Sequence, residues 1–409
     1  MNLLTELAEG LSISWAAICA NKMRSVLTTL GIIIGVVTVT LMGTAISGLN
    51  KSFLNTVSFI APDVLFVDRF EWAPHSREEW LKIQKRRPLT LEQATQLEQR
   101  LKLSQAVAPM ITSRGWVQYK KESAGGVNVI GTTDQFVYTG GIGISQGRFF
   151  SPAEADGGRP VCVIGSLVAT NLFNGSDPLG ARIQISNQPY EVVGVLQKQG
   201  TFIDSSFDNQ VIIPIPQMIA NFNHTRDLDQ IQVKVKSLAG LEEAREELHS
   251  AMRQIRQLAP SDPDDFAINQ QEQVLTMIHK VTGTIAAIGL FITGLSLFVG
   301  GIGIMNIMFV SVNERTREIG LRKAIGAKRR SILLQFLIEA ATICLIGGLA
   351  GLGLAWPLTL LMQRFLPATL SPAIVGVALG VSLVTGLLSG ILPAWRAARM
   401  NPVDALRNE

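Results

Sequence analysis

Apolar positions gather in four long runs, separated by one long polar stretch and by short basic segments. Residues 26–49 carry no charge at all. Residues 281–312, 333–362 and 373–395 are nearly as clean. A helix needs about 20 mostly apolar residues to cross a bilayer, and within the bilayer it satisfies its own backbone groups. The pattern therefore predicts four membrane-spanning helices. The second run is long enough to project beyond the membrane. Ahead of the first, residues 1–25 include an apolar and polar alternation near helical spacing around Trp15. It reads equally as an interfacial helix or as one packed on the bundle.

The polar stretch, residues 50–280, has a different rhythm. Residues 64–67 read as a strand, and Thr90 with Gln93 as a capping box opening a helix. QIQVKVK at 230–236 alternates as a half-buried strand, and a helix with an acidic first turn follows from 241. Between these α/β units, residues of about 127–225 hold short strands (161–164, 182–185, 190–196) set off by Gly and Pro turns. The expected fold class is thus membrane α-helical, four transmembrane helices, plus an α+β extracytoplasmic domain with an inserted strand-rich subdomain.

Charge orients the chain. The spans are flanked by Lys22 and Arg24, by the seven Lys and Arg residues of 313–332, and by Arg396, Arg399 and Arg407, whereas the loop between the last two spans has only Arg364. Basic flanks stay in the cytoplasm, so both termini are expected there and residues 50–280 outside. That outer stretch holds 23 Lys and Arg against 25 Asp and Glu, a net charge of −2. The first span is longer than a signal-peptide core and reads as an uncleaved anchor.

Inside the spans, glycines recur four apart (Gly31/Gly35, Gly347/Gly351, Gly376/Gly380, Gly386/Gly390), a spacing that lets helices approach closely. Asn306 and Glu339 interrupt apolar runs. Asn306 is expected at a helix contact, and Glu339 paired with a basic residue. Cys19, Cys162 and Cys344 fall in three separate regions, and the four histidines stand apart, so the spacing suggests no metal or cofactor site.

Two motifs suggest catalysis and fail on context. GISQG at 143–147 matches a nucleophile elbow, but two glycines precede it and Pro152 follows closely, where a strand and a helix are required. GIG at 301–303 resembles a dinucleotide fingerprint but lies within a span. No phosphate-cradling G-x-x-x-x-G-K-[ST] occurs. The chain reads as a non-enzyme.

The segment between the second and third spans carries more. In NERTREIGLRKAIGA, 313–327, Ile319, Leu321, Ala324 and Ile325 mix with Arg322 and Lys323 as on a short amphipathic helix, bracketed by Gly320 and Gly326. Such a helix suits a cytosolic partner. Together with NKMRS at 21–25, LTTLGIIIG at 27–35, GGIGIMNIM at 300–308, QFLIEA at 335–340 and PAWRAAR…NPVDAL at 393–406, it resembles the MacB family of ABC transporter permeases over nearly the whole length.

The resemblance implies a homodimer and a large periplasmic domain with a porter-like part. It implies a coupling segment at Glu314, Arg315, Arg317, Glu318, Gly320, Arg322, Lys323 and Gly326, and helix packing at Gly31, Gly35, Asn306, Gly347 and Gly351. It also implies a separate cytoplasmic ABC ATPase dimer carrying ATP and Mg, and a periplasmic adaptor protein. Membrane lipids surround the spans, and nothing points to nucleic acid. Efflux is the expected function. Lipoprotein release and FtsX-like regulation of cell-wall hydrolases are the alternatives.

Overall fold

The computed structural model describes residues 22–57, 61–72, 77–199, 201–202, 205–222, 226–364 and 367–407. The amphipathic stretch around Trp15 lies outside them. The chain forms two compact units, one of Phe53–Ile278 and one of Met1–Ser52 with His279–Glu409.

In chain order the helices are α1 (Lys22–Val57), α2 (Arg77–Gln84), α3 (Leu91–Arg100), α4 (Phe136–Thr139), α5 (Pro152–Asp156), α6 (Ser166–Phe173), α7 (Ile215–Asn221), α8 (Leu241–Ile255), α9 (Gln271–Glu314), α10 (Thr316–Ala324), α11 (Arg329–Met362), α12 (Pro372–Arg399) and α13 (Pro402–Arg407). The strands are β1 (Val64–Asp68), β2 (Leu89–Thr90), β3 (Ser104–Tyr119), β4 (Glu122–Thr132), β5 (Ile144–Gly147), β6 (Val161–Ile164), β7 (Arg182–Ile185), β8 (Gln188–Leu196), β9 (Thr201–Phe202), β10 (Ser205–Ser206), β11 (Gln210–Pro214), β12 (Asp227–Leu228), β13 (Gln230–Val235) and β14 (Ala267–Asn269).

Unit Phe53–Ile278 is built on one sheet in the order β14-β1-β13-β3-β4-β11-β6-β8-β5, with β7 paired to β3 and β8. The 16-residue β3 joins its two parts. Its first half pairs with β13 (Val107 opposite Val233), and its second with β4 and β7. The porter-like part is therefore β14, β1, β13 and the start of β3, with α3 and α8. Ile231 and Val233 join Leu97 and Leu248 in its core. The inserted strands continue the same sheet, with β11 parallel to β4 and β8 parallel to β6. The Thr90 capping box forms as its sequence predicts, Thr90 Oγ1 accepting from the Gln93 amide. Ser145 lies in β5, and its hydroxyl donates to the carbonyls of Val195 and Leu196 (3.1 and 3.2 Å). A strand position with a committed hydroxyl is no nucleophile elbow.

In the other unit, α1, α9, α11 and α12 are the four helices among the described residues long and apolar enough to cross a membrane. They meet at small residues. A Cβ on Gly31 would lie 2.7 Å from the Gly300 Cα, and one on Gly35 would lie 2.7 Å from Leu297, so this pair admits α9. Gly347 and Gly351 of α11 face Ile32 and Val36 of α1. Gly386 and Gly390 of α12 face Cys344 and Ala340 of α11. Beside that contact, Ser382 Oγ donates to the Cys344 carbonyl at 2.6 Å, since a hydroxyl among apolar helices must find an internal acceptor. Gly376 and Gly380 have open space where a Cβ would be. Asn306 is exposed on α9, in one row with Phe298 and Ile302, rather than packed between helices of this chain.

Candidate functional site

The rod α9 ends at Glu314, and α10 begins at Thr316, with only Arg315 between them. The joint stays helical: the Arg315 amide donates to Ser311 O (3.1 Å), and its carbonyl accepts from the Ile319 amide (3.0 Å). At the far end, Gly326 adopts φ +96°, a region costly for any residue with a Cβ. Its amide donates to Lys323 O, and the Ala327 amide to Arg322 O, the paired bonds of a Schellman stop. Gly326 thus ends the helix and turns the chain towards α11.

The remaining predicted residues divide between two faces of α10. One face is tied to the bundle. Arg315 Nη1 stands 3.5 Å from Glu339 of α11, whose side chain is buried. Arg322 donates to Gln335 of the same helix (2.8 Å) and to Glu318 one turn back (2.5 Å). Lys323 Nζ donates to the carbonyls of Ala398 and Met400, both at 2.6 Å. Those carbonyls stand at the end of α12, where unpaired acceptors and the helix dipole favour a cation. Burial, and then the charge of Arg329, hold the Lys323 ammonium below its usual value. A Cβ on Gly320 would lie 2.6 Å from Ala405 Cβ, so glycine is what lets α13 lie against α10. Ile319 is buried beneath.

The other face is open. Glu314, Arg317, Glu318, Leu321, Ala324 and Ile325 recur at three- and four-residue spacing and are all exposed. Leu321 is 56% and Ile325 80% exposed, large values for aliphatic residues beside a packed bundle. Their charged neighbours ring a small apolar patch, an arrangement suited to a protein surface. So the structure brings Arg315, Gly320, Arg322 and Lys323 inward, and Glu314, Arg317 and Glu318 outward. Gln335, Glu339 and Ala405 complete the inner side. Glu339 meets the basic partner its place in an apolar run predicts. Gln335 and Ala405 were absent from the predicted set, and Gln335 could have been found: it stands four residues before Glu339, on the same face of an apolar helix. Among the described residues, no group of three or more His, Cys, Asp or Glu side chains is placed to hold a metal ion.

Comparison with known proteins decides the family. The model of the MacB-like periplasmic core domain matches residues 25–251, and that of the FtsX-like permease C-terminal domain matches residues 290–402. The chain belongs to the MacB family of ABC transporter permeases. The macrolide export ATP-binding/permease protein MacB of Neisseria gonorrhoeae FA 1090 is 33% identical over 414 residues, 99% of this chain and 61% of the relative. The pyoverdine export ATP-binding/permease protein PvdT of Pseudomonas syringae pv. tomato is 32% identical over 418 residues, 99% of this chain and 60% of the relative. The chain thus spans about three-fifths of the length of these relatives. The crystal structure of the periplasmic region of MacB from Actinobacillus actinomycetemcomitans is similar at 18% identity and a TM-score of 0.46, over 56% of this chain and 97% of that one. With four apolar helices, a permease of this family is a multi-pass inner-membrane protein with a periplasmic domain.

Proposed function

We propose that this chain is the membrane subunit of an ABC-type exporter, and that α10 passes the ATP-driven motion of a cytoplasmic ATPase dimer to the periplasmic domain. ATP and Mg2+ belong to the ATPase, which we assign to a separate subunit. The observation that carries the reading is the two-faced α10. An outward face free to dock is fixed on its inner side to α11, α12 and α13 and is helically continuous with α9. The 44 residues of α9 make a rod of about 66 Å at 1.5 Å per residue. A push on α10 is delivered to all of these elements at once. Net work requires that the two nucleotide states differ in affinity for two conformations of the permease.

The basic segment 313–330 supports a cytoplasmic α10, with both termini on that side. Asn306, a polar group on an otherwise apolar row of α9, supports a second copy of this chain, since a carboxamide can satisfy its equivalent across a two-fold axis. Similarity to exporters of macrolides and of pyoverdine supports export over lipoprotein release or cell-wall regulation; a periplasmic adaptor is part of the same proposal.

The test is ATPase activity of the chain co-purified in lipid with the ABC ATPase encoded beside it. Ile325→Asp should abolish stimulation of the ATPase while the chain stays folded, and mass photometry should count two copies of the chain per complex. An Ile325→Asp complex that stimulates like the original removes α10 from the coupling path.

A further inference from the structure

The periplasmic unit holds a cavity of about 680 Å³ that none of the coupling contacts uses. Phe70, Trp72 and Trp80 line it, with Met110 at its wall. Trp80, on α2, is 47% exposed and Phe70 44%, so two aromatic faces stand open to solvent. The charges in the lining are three carboxylates, Asp68, Asp227 and Asp229, against one guanidinium, that of Arg69. Arg69 turns its Nη2 to the carbonyls of Gln84 and Arg86 (3.0 and 2.8 Å).

A directed set of amides ends at Asp68. Gln232 donates to Gln230 (3.0 Å), Gln230 to Asp68 Oδ1 (2.9 Å), and Asn269 to Asp68 Oδ2 (2.8 Å). The Trp72 amide donates in turn to Asn269 Oδ1 (3.1 Å). Asp68 is 3% exposed. Burial lifts its carboxyl to about 6, neutral donors offset only part of this, and the Asp229 charge adds to the rise. The lining thus carries more negative than positive charge, next to aromatic faces. A neutral or anionic ligand would not relieve that imbalance.

We propose that this cavity binds an organic ammonium cation with an apolar body. The cationic centre meets the aromatic faces and the field of Asp68, and the apolar part fills the space lined by Met110 and the indoles. The proposal concerns binding at the periplasmic unit and does not rest on the coupling reading.

The test is fluorescence anisotropy of the hydrophobic cation rhodamine 6G with the full chain in nanodiscs of zwitterionic lipid, after subtraction of empty nanodiscs. Anionic fluorescein serves as the comparison probe. Saturable binding of the cation alone is expected, weakened about tenfold by Trp80→Ala and by Asp68→Asn. Asp177→Asn, in a groove elsewhere on the same unit, should leave affinity unchanged. Trp80 is largely exposed, so its variant keeps the fold, which an unchanged melting temperature verifies. Absence of saturable binding, equal binding of fluorescein, or unaltered affinity in both the Trp80 and Asp68 variants overturns the proposal.

Discussion

The two units place their large apolar side chains in opposite ways. In the periplasmic unit, Ile183 and Ile185 of β7 are buried while Arg182 and Gln184, which alternate with them, face out, and Val211, Ile212 and Ile213 of β11 are buried without exception. In the membrane unit the largest residues of α9 face outward: Leu290 and Phe291 are 75% and 73% exposed. Its contacts are made instead by Gly31 on Gly300, Gly390 on Ala340 and Ser389 on Gly301. Water drives the first arrangement by expelling apolar surface. Lipid tails give no such drive between helices, so association depends on how closely two backbones can approach. The same residue, leucine, marks the core in one unit and the lipid-facing surface in the other.

Substitutions at the small residues should break that comparison most severely. At Gly300 the nearest atoms to a new Cβ are backbone, Gly31 C and Ile32 N, both at 3.0 Å, which cannot rotate away. Gly300→Leu is expected to cost the membrane unit more than about 3 kcal/mol, the upper range of overpacking, and to appear as aggregation on size-exclusion chromatography. A Cβ at Gly380 on α12 meets nothing within 4 Å, and Gly380→Leu should run as the original protein does. Equal behaviour of the two variants would mean that close approach is not what holds this bundle.

A smaller loss is expected where the membrane unit relies on charge. Arg315→Ala leaves the buried carboxylate of Glu339 without its partner, at a cost of about 3 kcal/mol. Replacing both residues by Met should recover most of it, because the uncompensated charge is then gone. Melting of the single and double variants in detergent measures the difference. A double variant no better than the single one would assign Arg315 a packing role instead.

These contrasts explain how much was legible beforehand. The four spans, the Thr90 cap, β6, β7 and the helix of 241–255 all follow from local pattern, because length, capping and alternation are local properties. Which neighbour each glycine pair serves is not: Gly31/Gly35 and Gly376/Gly380 share one spacing, yet the first pair is packed and the second open. The 16-residue β3 is not legible as one strand, because its pattern changes where its partners change. In the candidate site, the helix and its glycine stop were readable. The division of its charges was not, since Arg315 and Arg317 differ only in what α11 presents to them. The aromatic cavity draws Trp72, Met110 and Asp229 from distant parts of the chain, and no window of sequence contains it.

The smallest expected effect tests the other side of the comparison, a polar clasp in the unit otherwise held by apolar packing. Glu154, nearly buried, accepts two bonds from Arg148 (2.6 and 2.8 Å) and two from Ser151, through its amide (2.8 Å) and its hydroxyl (3.0 Å). The clasp fixes the corner between β5 and α5 and seats Phe150 in its core. The Arg148 bonds first, and then those of Ser151, hold the Glu154 carboxyl at about 2, below its ordinary 4.5. The folded protein thus binds this proton less tightly than the unfolded chain does. The stabilisation is complete above pH 4.5 and is lost as pH falls from there towards 2. Glu154→Gln keeps the shape but gives up the charge-assisted bonds, so it should cost about 2 kcal/mol at pH 7. Melting of the original and the variant, compared at pH 7 and pH 3, should show the gap narrowing in acid. A gap that stays constant would mean that the clasp acts by shape alone, and that this corner is held, like the rest of its unit, by what it buries.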